Sequence, residues 1–237
     1  MKIKAVLFDL DGTLLNMDLD SFSREYFKNL CEYLAQYGYD DARLLVKTVL
    51  DGIKAIEKND GTRINEDVFW DVYCGVYSVD RDEAKSILSC FYECKFEQVK
   101  SVCGVNPEAA GAVKCIGQMG LKMAVATKPI FPLEAVVSRI RWAGLDEGDF
   151  EYYTCYENSG YSKPNPEYYR AVAKAIGVLP EECLMVGNDV NEDMTAEEAG
   201  MKVFLLDYCV ENRDGKDITV YRSGGFNKLV EYIEELI

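Results

Sequence analysis

Histidine is absent from all 237 residues. That absence excludes Ser-His and Cys-His nucleophile systems and His-ligated zinc, and leaves carboxylate, lysine and hydroxyl chemistry. Long apolar runs are missing too, none reaching the roughly eighteen residues that a membrane span needs. Met1-Lys2-Ile3-Lys4 carries no signal-peptide pattern, so a cytoplasmic protein is expected. Positive charge is scarce. With 26 basic against 41 acidic side chains the net charge is −15, which repels nucleic acid and anionic membranes and disfavours both as partners. Internal repeats and low-complexity segments are lacking, and nothing in the pattern specifies an oligomeric state.

Cysteine is plentiful, but C-x-x-C is not present. The nine cysteines are odd in number and scattered among apolar neighbours, as at Cys115, Cys183 and Cys209, while Cys90 and Cys94 share one face of a helix. They read as reduced core residues rather than disulfides or metal ligands.

What is present is a globular composition, half apolar, in a chain long enough for one large domain or for a core with a smaller insert. Its organising stretch is Ala5-Val6-Leu7-Phe8-Asp9-Leu10-Asp11-Gly12-Thr13. A strand apolar on both faces belongs in a parallel sheet covered by helices, and the carboxyl end of such a strand is where an open α/β sheet places its ligand. Two carboxylates there are costly to desolvate unless paired. A hard divalent cation is the simplest partner, and Mg²⁺ suits one or two carboxylates plus water and phosphate oxygens. A calcium loop would need further oxygen ligands where Leu14 and Leu15 stand.

From Asn16 and Asp18 onward, Leu19, Phe22, Tyr26, Leu30, Leu34 and Tyr37 recur at helical spacing up to Gly38. A second helix is expected over about 41–56, with Leu44, Val46, Leu50 and Ile53 among its apolar positions, before the turn Asn59-Asp60-Gly61. Asn65 is the expected cap of a third helix with Val68, Phe69, Val72, Tyr73 and Val76 on its stripe. Asp80 starts a fourth through Ala84, Ile87, Leu88 and Phe91. Residues 17–99 therefore read as an all-helical insert. Its aromatics Tyr26, Trp70, Tyr73 and Tyr92 fall on core stripes.

Beyond residue 100, helix and strand alternate: a helix over 107–119, strand 123–126, a helix over 132–142, strand 152–155, a helix after Pro166, strand 183–186, a helix through 196–199, strand 202–206 and a helix over 226–237. Repeated βα units imply a parallel sheet with right-handed crossovers.

Three further stretches can converge on Asp9. Thr127 closes an apolar strand, where its hydroxyl and nearby amides can hold a phosphate oxygen. Lys163 precedes Pro164-Asn165-Pro166, whose prolines fix the backbone before a helix. Val186-Gly187-Asn188-Asp189 leads into Asn191-Glu192-Asp193, an acidic stretch that also suits a helix amino terminus.

Taken in order, D-x-D-G-T at 9–13, Thr127 after its strand, K-P-x-P at 163–166 and the acidic stretch after Gly187 resemble the four motifs of the haloacid dehalogenase-like (HAD) hydrolase superfamily, mostly phosphatases. The resemblance spans residues 9–193 and implies a Rossmann-like α/β core over 1–16 and 100–237 with a helical cap over 17–99. Only 36 positions separate Thr127 from Lys163, which leaves little room for the alternative cap site after the second motif. It further implies Mg²⁺-dependent hydrolysis of a small phosphorylated metabolite, with Asp9 as nucleophile, Asp11 as general acid and base, and Lys163 neutralising the phosphoryl group. The phosphate would sit among Asp9, Leu10, Asp11, Thr127, Lys128 and Lys163.

This chain departs from the family pattern in two places. Lys128-Pro129 follows Thr127 where many relatives have Asn, and Asn188 occupies the place of the first acid of the fourth motif. The metal set is then Asp9, Asp11 and Asp189, because a charged ligand offsets Mg²⁺ better than an amide. Asn188 as ligand, with Asp193 behind it, is the other arrangement. A phosphomutase of the same superfamily and a non-catalytic binder of a phosphorylated ligand or protein are the competing functions; a metal-free dehalogenase would leave Asp11 and the acidic motif without a task.

Overall fold

The four residues Ala5 to Phe8 have no polar side chain and lie completely buried, as a strand covered on both faces must. They are the first strand of a computed structural model that describes residues 2–237. In chain order the elements are β1 (Ala5–Phe8), β2 (Leu15–Met17), α1 (Leu19–Leu34), α2 (Ala42–Glu57), α3 (Asn65–Tyr77), α4 (Arg81–Cys94), β3 (Cys103–Val105), α5 (Pro107–Gln118), β4 (Lys122–Val125), α6 (Leu133–Trp142), β5 (Tyr152–Tyr153), α7 (Pro166–Ala175), β6 (Cys183–Gly187), β7 (Lys202–Leu206), β8 (Ser223–Gly224) and α8 (Phe226–Leu236).

Six strands form one sheet in the order β5-β4-β1-β6-β7-β8, and every pairing in it is parallel. The expected α/β architecture is thus the observed one. The chain runs outward from β1 first on one side and then on the other, which places a topological switch point beside it. Phe8 is in register with Val125 and Val186, so the residues that follow all three strands emerge together at the carboxyl edge. Alternate residues of β1 serve different cores. Val6 and Phe8 pack with α5, α6 and α8, whereas Ala5 and Leu7 pack with Tyr168, Tyr169 and Val172 of α7.

Four helices occupy 19–94, and their starts follow from capping chemistry. Asp18 accepts from Ser21 N at 2.8 Å, Asp41 from Arg43 N and Leu44 N at 3.0 Å, and Asp80 from Glu83 N at 3.0 Å. These helices have no separate core: Leu30, Trp70 and Phe91 belong to the same apolar cluster as Val6 and Phe8.

Several expectations are corrected. Ile64, not Asn65, stands at the cap of α3. Asn65 is the first helical residue, and its buried amide accepts from Asn59 at 2.8 Å and donates to the Tyr161 carbonyl at 3.1 Å. Val76 is exposed, and Trp70 takes a place on the buried face. The buried stripe of α2 is Leu45, Thr48, Val49, Gly52 and Ile56, while Leu44 and Leu50 are exposed. Gly52 lets α3 approach closely there, since the Phe69 ring would lie 2.6 Å from a Cβ at that position. The helix expected through 196–199 is present over residues 193–199 and ends at Gly200, with 3-10 geometry. The antiparallel pair β2–β3 and the edge strand β8, each two or three residues long, carry no period that a sequence can display. Cys155 and Cys183 are buried as expected, but Cys115 and Cys209 are half-buried and Cys90 and Cys94 exposed; all nine thiols are free.

Candidate active site

Asp9 leaves the sheet directly after β1, with its amide donating to the Val186 carbonyl at 2.9 Å and Phe8 accepting from Ala126 N at 2.6 Å. Those two bonds lock the ends of β1, β4 and β6 together. Lys163 approaches from the loop ahead of α7, where Asn165 caps the helix by accepting from Glu167 N at 2.9 Å and Pro166 opens its first turn. The buried Lys163 Nζ donates to Asp9 Oδ1 and to Asp193 Oδ1, both at 2.6 Å. Asp193 Oδ2 accepts from Asp189 N at 3.0 Å, so both of its oxygens are taken.

The electrostatics follow from burial. Burial pushes the Asp9 carboxyl up, Lys163 pulls it back, and Asp193 and Asp11 raise it again, to about 8. Burial alone would lower Lys163, but Asp193 and Asp9 outweigh it and hold the ammonium well above its ordinary value. The centre as built is therefore short of positive charge.

Asp11 points elsewhere. Its Oδ2 accepts from Nη1 of Arg139, a fully buried arginine on α6 whose guanidinium lies 4.4 Å over the Phe131 ring. Among the described residues, Asp11 Oδ1 and Arg139 Nη2 have no partner. Sequence reading passes over Arg139, although the signal exists: Ala135, Val136, Arg139 and Ile140 share the buried stripe of α6, and a charge on such a stripe needs a partner.

The β6 loop closes the floor. Gly12 (φ +82°) turns the chain back, and Asn188 fills the space beside it, its Nδ2 only 2.6 Å from where a Cβ would stand. Asn188 Oδ1 accepts from Thr13 Oγ1 at 2.9 Å, and Nδ2 donates to the Cys209 carbonyl at 2.8 Å. Tyr208, another residue the sequence does not single out, donates to the Thr13 carbonyl. Asp189 turns away toward Arg213 Nη2 at 2.6 Å and accepts from the amides of Asn191 and Glu192 at 2.7 and 3.0 Å.

Asp9, Asp11, Thr127, Asn188, Asp189 and Asp193 line one cavity of about 230 Å³. Lys163 stands behind Asp9 rather than on the wall. Lys128 reaches the cavity, but its ammonium is committed to Glu192 at 2.9 Å and to Glu57 of α2 at 2.6 Å. The Leu10 side chain is fully buried; its contribution is limited to the main chain.

Among the described residues no three acid or thiol groups are grouped as a ready-made metal cage. A magnesium site need not be one, since the ion keeps several waters and takes one or two carboxylates with carbonyl and phosphate oxygens. The raised Asp9 carboxyl and the unpartnered Asp11 oxygen are groups that a divalent cation at the sheet edge would fit.

Over 90% of its length the chain is 27% identical to pyrophosphatase PpaX of Halalkalibacterium halodurans, of which it covers 88%. Its fold is similar to that of a HAD phosphatase from Thermococcus onnurineus (TM-score 0.59, 19% identity, 98% of each chain). It is equally similar to a HAD family hydrolase from Deinococcus radiodurans R1 crystallised with bound phosphate and sodium (TM-score 0.59, 19% identity, 99% of this chain and 96% of that one). No helix among the described residues is long and apolar enough to cross a membrane. The haloacid dehalogenase-like hydrolase family model matches residues 3–200, in which every group described above except Tyr208, Cys209 and Arg213 lies, and the chain belongs to that family.

Proposed function

We propose that the chain is a phosphatase that hydrolyses a small phosphate monoester through an aspartyl-phosphate on Asp9. The observation that carries this reading is one buried ammonium, Lys163, held 2.6 Å from a carboxylate at the carboxyl end of the central strand. A carboxylate so placed attacks phosphorus. The new Oδ–P bond forms as the bond to the leaving oxygen breaks, and one hard displacement becomes two easier ones. Asp11 protonates the leaving oxygen, then takes the proton of the water that frees phosphate and restores Asp9. Thr127 and the Leu10 and Asp11 amides surround the transferring oxygens.

Magnesium would be held by the Asp9 carboxylate, the Asp11 main-chain carbonyl and one donor from the β6 loop. Geometry favours Asn188 for that donor, against the preference that charge alone gives Asp189. Asn188 packs against Gly12 on the nucleophile's loop with its Oδ1 engaged by one neutral donor, Thr13, whereas the Asp189 oxygens are held by the Arg213 guanidinium and two main-chain amides. Asp193 is likewise committed to Lys163. When bound, the ion offsets the like charges of nucleophile and substrate.

Lys128 takes a different part from the one its place in the motif suggests. Bonded to Glu57 on α2 and Glu192 on the core, it ties the helical segment to the sheet edge rather than reaching for phosphate. Residues 17–99 in this reading are the cap over the site.

The test is release of phosphate from para-nitrophenyl phosphate with Mg²⁺. Wild-type turnover and its abolition in Asp9→Asn are expected; persistent turnover by a pure, folded variant rejects Asp9 as nucleophile.

A further inference from the structure

The cavity above Asp9 has two unlike halves. Its floor is the acidic constellation already described; its roof is built by the helical segment. Leu19, Phe22, Tyr26 and Phe27 of α1 and Leu50 and Ile53 of α2 face it, with Met17 and Phe131 closing the sides. Leu19 and Leu50 are 48% and 40% exposed, large apolar side chains left open at this mouth.

The roof offers little to a polar guest. Ser23 and Tyr26 carry its only hydroxyls, and Tyr26 shares its own with Tyr92 at 2.9 Å. The aromatic part is held rigid by mutual packing: Tyr26 lies 5.2 Å from Phe27 and 5.4 Å from Phe131, edge to face, and Phe131 is backed by the Arg139 guanidinium. The cations are spent as well. Lys128 bonds Glu57 and Glu192, and Arg213 bonds Asp189 and Glu192, while Glu211 adds another acid to the wall. A leaving group with its own negative charge meets carboxylates and no unpaired cation; one rich in hydroxyls would desolvate them against carbon.

We infer that the substrate, on the reading that this site is a phosphatase, is the phosphate monoester of a neutral, largely apolar alcohol with a ring or branched chain, seated between α1 and α2. A cavity of about 150 Å³ lined by such side chains accommodates benzene. The 230 Å³ present here holds one ring-sized group beside the phosphoryl group. Hydrolysis then leaves inorganic phosphate on the acidic floor and the free alcohol, carrying the proton from Asp11, against the roof. The inference separates this chain from a pyrophosphatase, whose departing phosphate is an anion.

The experiment compares kcat/KM for 2-phenylethyl phosphate, glucose 6-phosphate, pyrophosphate and methyl phosphate, the last a small ester of a neutral alcohol that asks nothing of the roof. The expected result is 2-phenylethyl phosphate at least 100-fold ahead of glucose 6-phosphate and pyrophosphate. In Phe27→Ser, a partly exposed position at the cavity, the ratio of 2-phenylethyl to methyl phosphate turnover should fall at least tenfold. Equal or better use of glucose 6-phosphate or pyrophosphate overturns the inference while leaving the phosphatase reading intact, as does an unchanged ratio in Phe27→Ser. Failure to release phosphate from any of the four, methyl phosphate included, overturns the phosphatase reading and the inference with it.

Discussion

Lys163 Nζ stands 2.6 Å from Asp9 Oδ1 and 2.6 Å from Asp193 Oδ1, a single buried ammonium between two buried carboxylates. The three side chains come from a strand end, a loop and a 3-10 turn, Lys163 lying 154 residues after Asp9 and 30 before Asp193. Removing one member leaves an uncompensated buried charge, which costs about 3–5 kcal/mol. Lys163→Met should therefore lower both thermal stability and turnover. Below about pH 8, where Asp9 holds its proton, the double variant Lys163→Met with Asp193→Asn should regain most of the stability, because the two remaining charges leave together, and none of the turnover. A double variant no more stable than the single one would show that the triad is not the coupled unit its geometry describes.

The pairing of Arg139 with Asp11 leads to a leaving-group effect. Arg139 holds Asp11 through one oxygen, and the other, buried, has no partner among the described residues. If Arg139 positions the group that protonates the leaving oxygen, Arg139→Met should slow alkyl phosphates by about 10²-fold, within the range of general acid catalysis. Para-nitrophenyl phosphate, whose leaving group departs without a proton, should be slowed much less. Equal losses on both substrates would reduce Arg139 to a structural residue.

Much of this was legible beforehand, for physical reasons. β1 announces itself because a strand buried on both faces must be apolar throughout, and Asp9, Thr127 and Lys163 are marked by what stands next to them: a strand end or a pair of prolines. Partners were not legible. Nothing around Lys128 reveals Glu57, 71 positions earlier, and nothing in Asp189 shows that Arg213 takes it. Charge alone does not rank Asn188 against Asp189, since a sequence displays which atoms are ionised but not which stand beside the nucleophile's loop. Gly52, silent in any hydrophobic pattern, belongs to the buried face of α2, where Phe69 packs.

Lys128 offers a contrast with Lys163. About a quarter of its side chain is exposed, and its partners Glu57 and Glu192 are 38% and 15% exposed. The pair with Glu57, the more accessible of the two, contributes no more than about 1 kcal/mol. Lys128→Met should cost less than tenfold in kcat/KM and little in melting temperature, whereas Lys163→Met removes turnover. A loss at Lys128 as deep as that at Lys163 would return it to the phosphate site.

Metal and proton should compete at Asp9. Its carboxyl is raised by burial to about 8, so the folded, metal-free protein holds a proton that the unfolded chain gives up near the ordinary value of 3.8. The folded state binds more protons across that window, and this group's contribution to stability is complete at low pH and lost as pH rises from about 4 through about 8. Mg²⁺ supplies the charge that the proton otherwise replaces, so its effect must run the other way. The rise in melting temperature on adding Mg²⁺ should be small at pH 6, grow toward pH 8.5, and disappear on chelation. Asp9→Asn, uncharged at every pH, should lose both the Mg²⁺ effect and this part of the pH dependence. A Mg²⁺ stabilisation that is constant from pH 6 to 8.5, or that survives in Asp9→Asn, would place the cation away from the central strand.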